Sequence, residues 1–328
     1  MHVGAIVTIP HSSPSAGKFC AGGHLSAVAS WDVLGASPLS RTLERFRISG
    51  VSEISILRED GTSAQPDSGL GFIDCVPAWD SVVSRYLGYG LKTLLLIRIG
   101  PYVELDVTDF LRFHRETSSP VAQVYDQHGA LDLFAIDAAH LRDKAGPFRG
   151  TLKSQTRYPF VGYTNRLQDV HDFRQLVKDA LFGRAAIRPI GREVAANVWV
   201  NQDARVDEST RIFGPAYIGR NSRVQADSTI IGASSIEQEC EIDCGTTVDD
   251  CCILSGTYLG MGLTVRHAVA SEHTLLHLGR NVELRFHDRR LMGALRSEAR
   301  WQVRPSLSAP VPASLDPCSQ PTNPNWHL

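Results

Sequence analysis

From Val194 to Leu254 the chain places an aliphatic residue at every sixth position: Val194, Val200, Val206, Ile212, Ile218, Val224, Ile230, Ile236, Ile242, Val248 and Leu254. Four places after each, apart from Val198 and Tyr258 at the two ends, comes a small residue: Ala204, Thr210, Ala216, Ser222, Ser228, Ser234, Cys240, Thr246 and Cys252. This pattern predicts a left-handed parallel β-helix of hexapeptide repeats. Three hexads close one triangular coil, the aliphatic side chains fill its interior, and the small residues let the chain pack beside them. Residues eighteen apart then stack at the ~4.8 Å strand spacing, Val194 on Ile212 on Ile230 on Val248. A β-sandwich of six-residue strands would need turn clusters every ~8–12 residues instead. The register is expected to break around Gly260-Met261-Gly262 and to recover in part at Leu278 and Leu284. The coil is assigned to 186–295. Residues 296–328, with Pro305, Pro310, Pro312, Pro317, Pro321 and Pro324 and no period, are expected to be a flexible tail.

Residues 1–185 alternate in period between strand and helix, which predicts an α/β domain with a mainly parallel sheet covered on both faces. Val3 to Ile9 is an apolar run suited to a buried first strand. A helix should start at Pro38 with Ser37 as its N-cap and Leu39, Leu43 and Phe46 on one face, and Gly50 should stop it. Further elements are expected as a strand at Val51 to Leu57, a helix at Trp79 to Leu87 and a central strand at Leu91 to Ile97. After them come a helix capped by Thr108 and running to His114, a strand at Leu131 to Ile136, and a helix from Asp169 to Phe182. The formal net charge of −2 gives no bulk pull toward nucleic acid or an anionic membrane. Seven cysteines without a secretion signal point to reduced thiols in a cytoplasm, and no apolar stretch approaches a membrane span.

An α/β domain followed by a hexapeptide coil resembles the sugar-nucleotide pyrophosphorylases, in particular mannose-1-phosphate guanylyltransferase-like proteins. Pro38 to Phe46 followed by Gly50-Val51 is similar to that family's helix-to-strand passage, and Phe110 to Glu116 to the helix after its metal-binding strand. Phe134 to Asp137 looks like a family strand, and Ile253 to Gly260 resembles a passage of its β-helix. The resemblance implies a nucleotidyltransferase-like, Rossmann-like domain that joins a sugar 1-phosphate to a nucleoside triphosphate with release of pyrophosphate.

That chemistry needs a backbone cradle for the triphosphate, a cation on the phosphates and carboxylates that hold magnesium. The residues that should supply these depart from the family pattern. Where its glycine-rich loop should follow the first strand stands Pro10-His11-Ser12-Ser13-Pro14-Ser15-Ala16-Gly17-Lys18, with Gly22-Gly23 beyond. Gly17, Lys18, Gly22 and Gly23 are the candidate phosphate ligands there. No lysine lies within Ala27 to Asp32, where the family carries one. Pro101 stands at the first magnesium aspartate, with Glu104 and Asp106 close by, and Arg166 stands at the second. The base-reading segment has only Val76-Pro77-Ala78 in its place. Arg166 becomes a candidate nucleotide or phosphate ligand, no catalytic residue or metal ligand is assigned, and no cofactor is expected unless turnover with magnesium survives.

Two other clusters weigh less. Cys240, Cys244, Cys251 and Cys252 suggest zinc, but the phase assigns Cys240 and Cys252 to inward positions on different faces. His267, His273, His277 and His287 could serve an acyltransferase or a metal, as histidines at coil edges do elsewhere. Trp199, Phe213 and Tyr217 should face outward and offer a subunit contact. The expected function is a catalytically degenerate pyrophosphorylase-like protein with a regulatory or nucleotide-sugar-sensing role in polysaccharide synthesis. Its partners would be a nucleotide sugar or sugar phosphate and a second copy or an active pyrophosphorylase. An active transferase with atypical ligands and a β-helix acyltransferase are the alternatives.

Overall fold

The computed structural model describes residues 2–9, 28, 31–58, 76–142 and 156–295. Gly17, Lys18, Gly22, Gly23 and the proline-rich segment 296–328 lie outside the described residues. The first part of the chain contains β1 (Val3–Ile9), α1 (Pro38–Ile48), β2 (Glu53–Arg58), α2 (Val76–Gly88), β3 (Thr93–Arg98), β4 (Tyr102–Val103), α3 (Val107–Glu116) and β5 (Val121–Asp126). It continues with β6 (Gly129–Asp137), α4 (Ala138–Arg142), β7 (Thr156–Pro159), β8 (Thr164–Asn165) and α5 (Val170–Leu181). The main sheet has the order β2-β1-β3-β6-β5-β7. Its central strands are apolar on both sides because both sides are covered. Ala5, Val7, Leu95 and Ile97 pack toward Phe46 of α1 and Phe110 of α3, while Ile6, Leu94 and Leu96 pack toward Val82 and Tyr86 of α2.

The sheet is mixed rather than mainly parallel, since β6 runs antiparallel to both β3 and β5. The cause is local. Only Gln127 and His128 separate β5 from β6, and so short a link can join only antiparallel strands. The Asp126 carboxylate accepts the His128 N–H in this turn, and Gly129 takes a φ of 124°. The Ser37 hydroxyl caps α1 by accepting the Ser40 N–H, and Gly50 ends the helix with a φ of 80°. The cap of α3 is Asp106, not Thr108: its Oδ1 accepts the amides of both Thr108 and Asp109. An ionised carboxylate satisfies two orphan donors and also complements the positive end of the helix, which a hydroxyl at the second helical position does not.

The second part is a run of short strands: β9 (Arg192–Ala195), β10 (Val198–Val200), β11 (Arg205–Val206), β12 (Arg211–Phe213), β13 (Ala216–Ile218), β14 (Arg223–Val224), β15 (Thr229–Ile231), β16 (Ser234–Ile236) and β17 (Glu241–Ile242). Then follow β18 (Thr247–Asp249), β19 (Cys252–Ile253), β20 (Thr257–Leu259), β21 (Thr264–Arg266), β22 (Ala268–Ser271), β23 (Thr274–His277), β24 (Val282–Arg285) and β25 (Met292–Ala294). They stack in three mostly parallel sheets, β10-β13-β16-β19-β22, β11-β14-β17-β20 and β12-β15-β18-β21, as a β-helix requires. The interior rows are Ile212–Ile230–Val248–Val265, Ile218–Ile236–Ile253–Ala270 and Val206–Val224–Ile242–Leu259. The small positions do more than save space. Ser222 Oγ donates to the Glu237 carbonyl and accepts from the Cys240 amide, and Thr246 joins Gly260 and Leu263 in the same way, so inward hydroxyls tie one coil to the next.

Four expectations are corrected here. Val194 does not stack on Ile212; it lies 48% exposed in β9, which pairs antiparallel with β10. The phase does not break at Gly260-Met261-Gly262 but slips by one residue earlier, so that Ile253 follows Ile236 and Leu254 turns out of the coil. Cys251 therefore takes the inward small position, and Cys252 faces outward. Asp250 alone turns that corner, with a φ of 54°, where the preceding coil uses Gly232-Ala233. His267 does the same one coil later, and Leu278 and Leu284 belong not to a last coil but to an antiparallel meander of β22, β23 and β24. Among the described residues no helix is long and apolar enough to cross a membrane.

The outer surface of the β10-β13-β16-β19-β22 sheet packs on the α/β part. Tyr217, Cys252, Leu254 and Val269 join one apolar cluster with Trp31, Phe173, Leu176 and Val177. Tyr217 thus faces outward as expected but is fully buried against α5, so it offers no subunit contact, whereas Phe213 stays exposed. Arg174 of α5 reaches across this junction. It donates to the Ala233 carbonyl at 2.6 Å and to Asp250 Oδ1 at 2.5 Å, while Lys178 and His267 hold Asp250 Oδ2 at 2.9 and 2.8 Å. Burial opposes ionisation of Asp250, but Arg174 and the hydrogen bonds from Lys178 and His267 outweigh it and hold the carboxyl below its ordinary range.

Two outcomes follow for stability. Ile230→Asp would set a charge inside the coil and is expected to cost about 4 kcal/mol or more; urea unfolding that matches wild type would contradict the stacking. Asp250→Asn leaves the buried Arg174 charge without its counter-ion and is expected to cost about 3 kcal/mol, most of it recovered when Arg174→Met is added. Equal losses in the single and double variants would show that the pair contributes through packing alone.

Candidate functional site

In open α/β sheets ligands bind beyond the carboxyl ends of the parallel strands. Here β1 and β3 end side by side, and the Ile99 amide closes them by donating to the Thr8 carbonyl. The chain then passes through Gly100-Pro101 into β4, which pairs antiparallel with β8, Tyr102 opposite Asn165 and Val103 opposite Thr164. Pro101 immediately precedes this ladder on one strand and Arg166 immediately follows it on the other, so both stand at the same end of it. The two positions that the resemblance matches to magnesium aspartates, far apart in sequence, are thus brought to one end of the ladder.

Each strand of this small ladder is fixed from outside. Arg45 of α1 donates to the Val103 carbonyl and the Tyr102 hydroxyl, with its guanidinium 4.9 Å from the Tyr102 ring centroid. Burial pushes the Tyr102 hydroxyl above its usual range, which keeps it a neutral partner for that cation. On the other strand, Asn165 Nδ2 donates to the Asp172 carbonyl and the Tyr163 hydroxyl to Asp179, both acceptors on α5. Burial, then the bond to Asp179, raises the Tyr163 hydroxyl in turn. Thr42, Arg45, Pro101, Val103 and Leu133 enclose a cavity of about 20 Å³ behind the ladder, room for about one water.

The Arg166 side chain is committed. Its Nη2 donates to Asp126 Oδ1 at 2.6 Å, and Asp126 also accepts from Thr164 Oγ1 and the His128 amide. The Asp126 side chain is 3% exposed and that of Arg166 26%, so the guanidinium is the member of the pair nearer solvent. The other nearby carboxylates have work of their own: Asp106 caps α3, and Glu104 accepts the Ala186 amide. Val76 to Ala78, in place of the base-reading segment, form the first turn of α2.

A second group of residues governs the turn that leads into α1. Leu34 and Gly35, with φ of 54° and 97°, point successive amides at the Glu237 carboxylate of the coil, each 3.0 Å away. A side chain at Gly35 would collide with the Tyr217 hydroxyl. Arg41 donates to the carbonyls of Val33, Leu34 and Ala36, and Asp32 accepts from Gln238 and Ser255. In the stretch where the resemblance calls for a phosphate-binding lysine, the chain thus carries an acid turned toward the coil. Burial, and then the nearby Asp32, push Glu237 up to about 7 against the pull of the two amides and Arg41. Burial lowers Arg41 in the same pocket.

The remaining clusters are dispersed. Cys240 and Cys251 point into the coil, where burial pushes both thiols up to about 12, and Cys252 faces Arg174. Such thiols are protonated and unreactive at neutral pH. His267 sits on Asp250, and His277 Nδ1 accepts the Arg280 amide. Among the described residues no group of three or more His, Cys, Asp or Glu side chains is placed to hold a metal. Asp126, Asp32, Arg41 and Glu237 were not singled out from sequence. A charged residue beside an inward aliphatic is ordinary in a coil, and only the Asp126-Gln127-His128-Gly129 turn left a readable trace.

The buried Glu237 gives a pH dependence. Its folded value lies above the 4.5 of a free carboxyl, so its stabilising share is fully present below pH ~4.5 and is lost as pH rises through ~7. Relative to Glu237→Gln, wild type is expected to lose roughly 2–3 kcal/mol of unfolding free energy between pH 5 and pH 8. A difference that stays flat across that range would show that the carboxylate keeps an ordinary acidity.

No protein-family model matches this chain, and no curated protein matches it at a significant level. The resemblance to sugar-nucleotide pyrophosphorylases therefore stands on the residues quoted for it.

Proposed function

We propose that this chain is a catalytically degenerate relative of the sugar-nucleotide pyrophosphorylases, with a nucleotidyltransferase-like α/β domain and a left-handed β-helix. It binds a nucleotide sugar or sugar phosphate as a regulatory subunit or sensor. The observation that carries the reading is the convergence of Pro101 and Arg166 through the β4–β8 ladder at the strand ends. Magnesium needs oxygen ligands, and proline offers no charged one. Arg166 brings a cation to the spot where the catalysed reaction would need a bound cation, and it already consumes the charge of Asp126. A guanidinium there suits a diphosphate held without metal, because its fork of donors matches phosphate oxygens.

The coil supports the subunit role. Its first turn leaves Val200, Val206 and Ile212 only partly covered, and Phe213 and Val194 are exposed beside them. An open coil end with free strand edges invites a second copy or a related chain.

Pyrophosphate release, followed with a panel of nucleoside triphosphates, hexose 1-phosphates and Mg²⁺, is expected to show no turnover. Calorimetry on the same protein should show nucleotide-sugar binding that weakens roughly tenfold in Arg166→Gln. Turnover near 1 s⁻¹, at the low end of ordinary enzymes, would overturn the degenerate reading. Failure of every nucleotide sugar to bind would overturn the sensor, and a strictly monomeric mass by light scattering, alone and with an active pyrophosphorylase, would remove the subunit role.

A further inference from the structure

At the amino end of β3, on the opposite side of the sheet from Pro101 and Arg166, the chain forms an open pocket of about 510 Å³. Three elements converge on it: the start of β3 with Lys92, the end of α3 with His114 and Arg115 followed by Ser118 and Ser119, and the β6–α4 junction with Asp137. The volume falls within the ~300–1,000 Å³ of small-molecule sites. Its frame is rigid, because the Ala138 amide donates to the Lys92 carbonyl and the Asp137 amide to the Pro120 carbonyl.

His114 is the unusual member. It is 5% exposed, and its Nδ1 has no hydrogen-bond partner among the described residues. Burial lowers its affinity for a proton, with partial opposition from Asp137, so the ring is neutral, with one nitrogen a donor and the other an acceptor. The residue contributes to the lining of the pocket, while its Nδ1 atom is screened from it by protein. Around it stand two exposed cations, Lys92 and Arg115, one carboxylate, Asp137, whose Oδ1 accepts the Ala139 amide, and the hydroxyls of Ser118 and Ser119. Ser119 already donates to the Val121 carbonyl, so its oxygen faces a ligand chiefly as an acceptor.

We propose that this pocket is a second ligand site, for a small phosphorylated polyol. The phosphate fits between Lys92 and Arg115, where charge-assisted bonds are strongest. Hydroxyls of the ligand donate to the Asp137 carboxylate, with His114 forming part of the wall beside it. Inorganic phosphate would gain the cations, but its P–OH groups sit on the phosphorus held between them and do not extend to Asp137 as a polyol chain does, so the site discriminates in favour of a ligand carrying both groups. It is independent of the nucleotide-sugar site and does not rest on that assignment.

The test is calorimetric titration of the full chain with glycerol 3-phosphate, inorganic phosphate and glycerol, each up to about 10 mM. Glycerol 3-phosphate is expected to bind with a Kd of about 1 mM or tighter, at least roughly tenfold better than the other two probes. Arg115→Gln and Lys92→Gln, both at exposed positions, should each weaken it roughly tenfold while leaving nucleotide-sugar affinity unchanged. The His114 side-chain nitrogen resonances should move during the titration, a readout that does not require a His114 variant to fold. Absence of binding, equal affinity for inorganic phosphate, or binding untouched by both substitutions would each overturn the proposal. None of these results bears on Arg166, so this site and the nucleotide-sugar site can fail separately.

Discussion

The coil must bury one aliphatic side chain from each of its flat sides on every turn, and the rest of the molecule is hung on that requirement. Once the rows Ile212–Ile230–Val248–Val265 and Ile218–Ile236–Ile253–Ala270 are stacked, the alternation of a β-strand forces the intervening residues outward. On one sheet those outward residues are Tyr217, Cys252 and Val269, and they are the surface that buries α5. The slip in phase matters for the same reason. By dropping one residue between Val248 and Ile253, the coil makes Asp250 its sole corner residue, where coils above use glycine, and so puts a carboxylate within reach of Arg174 and Lys178.

Two acids at this junction meet opposite fates, and they differ in burial as well as in partners: Glu237 is 1% exposed, whereas the Asp250 side chain keeps 18% of its exposure. Asp250 faces two cations and an imidazole, and stays ionised below its ordinary range. Glu237 faces two amides, one cation that must serve four carbonyls as well, and the neighbouring Asp32, and its ionisation is opposed. Neutral donors stabilise a buried carboxylate less than full charges do, and a second carboxylate nearby works against it. The turn that Glu237 holds leads into the helix whose Arg45 braces β4.

The carboxylates near the β4–β8 ladder have partners within the protein. A metal-dependent site keeps carboxylates free for the ion. Here Asp126 is saturated by Arg166, Thr164 and a backbone amide, Asp106 is spent on a helix cap, and Glu104 holds the Ala186 amide. What this group turns toward solvent is the edge of the Arg166 guanidinium.

Period determined the coil and its interior residues from Val200 to Val248, while an apolar run marked β1 and the Ser37 cap, Pro38 and Gly50 marked α1, because each depends on contacts between residues a few places apart or on one repeated geometry. The same local logic misled at Val194 and Leu254, where the spacing continues but the chain has not yet entered the coil or has lost a residue at a corner. It also could not orient β6, whose direction follows from the brevity of the β5–β6 turn. The identities of Pro101 and Arg166 were legible, but their meeting was not, since it is made by the pairing of β4 with β8. The roles of Asp126, Glu237, Asp250 and His114 belong to tertiary structure alone. A charged or titratable residue looks the same in sequence whether it ends in water or in a buried pocket, and only the packing of distant elements around it decides which partners it has and how strongly they hold it.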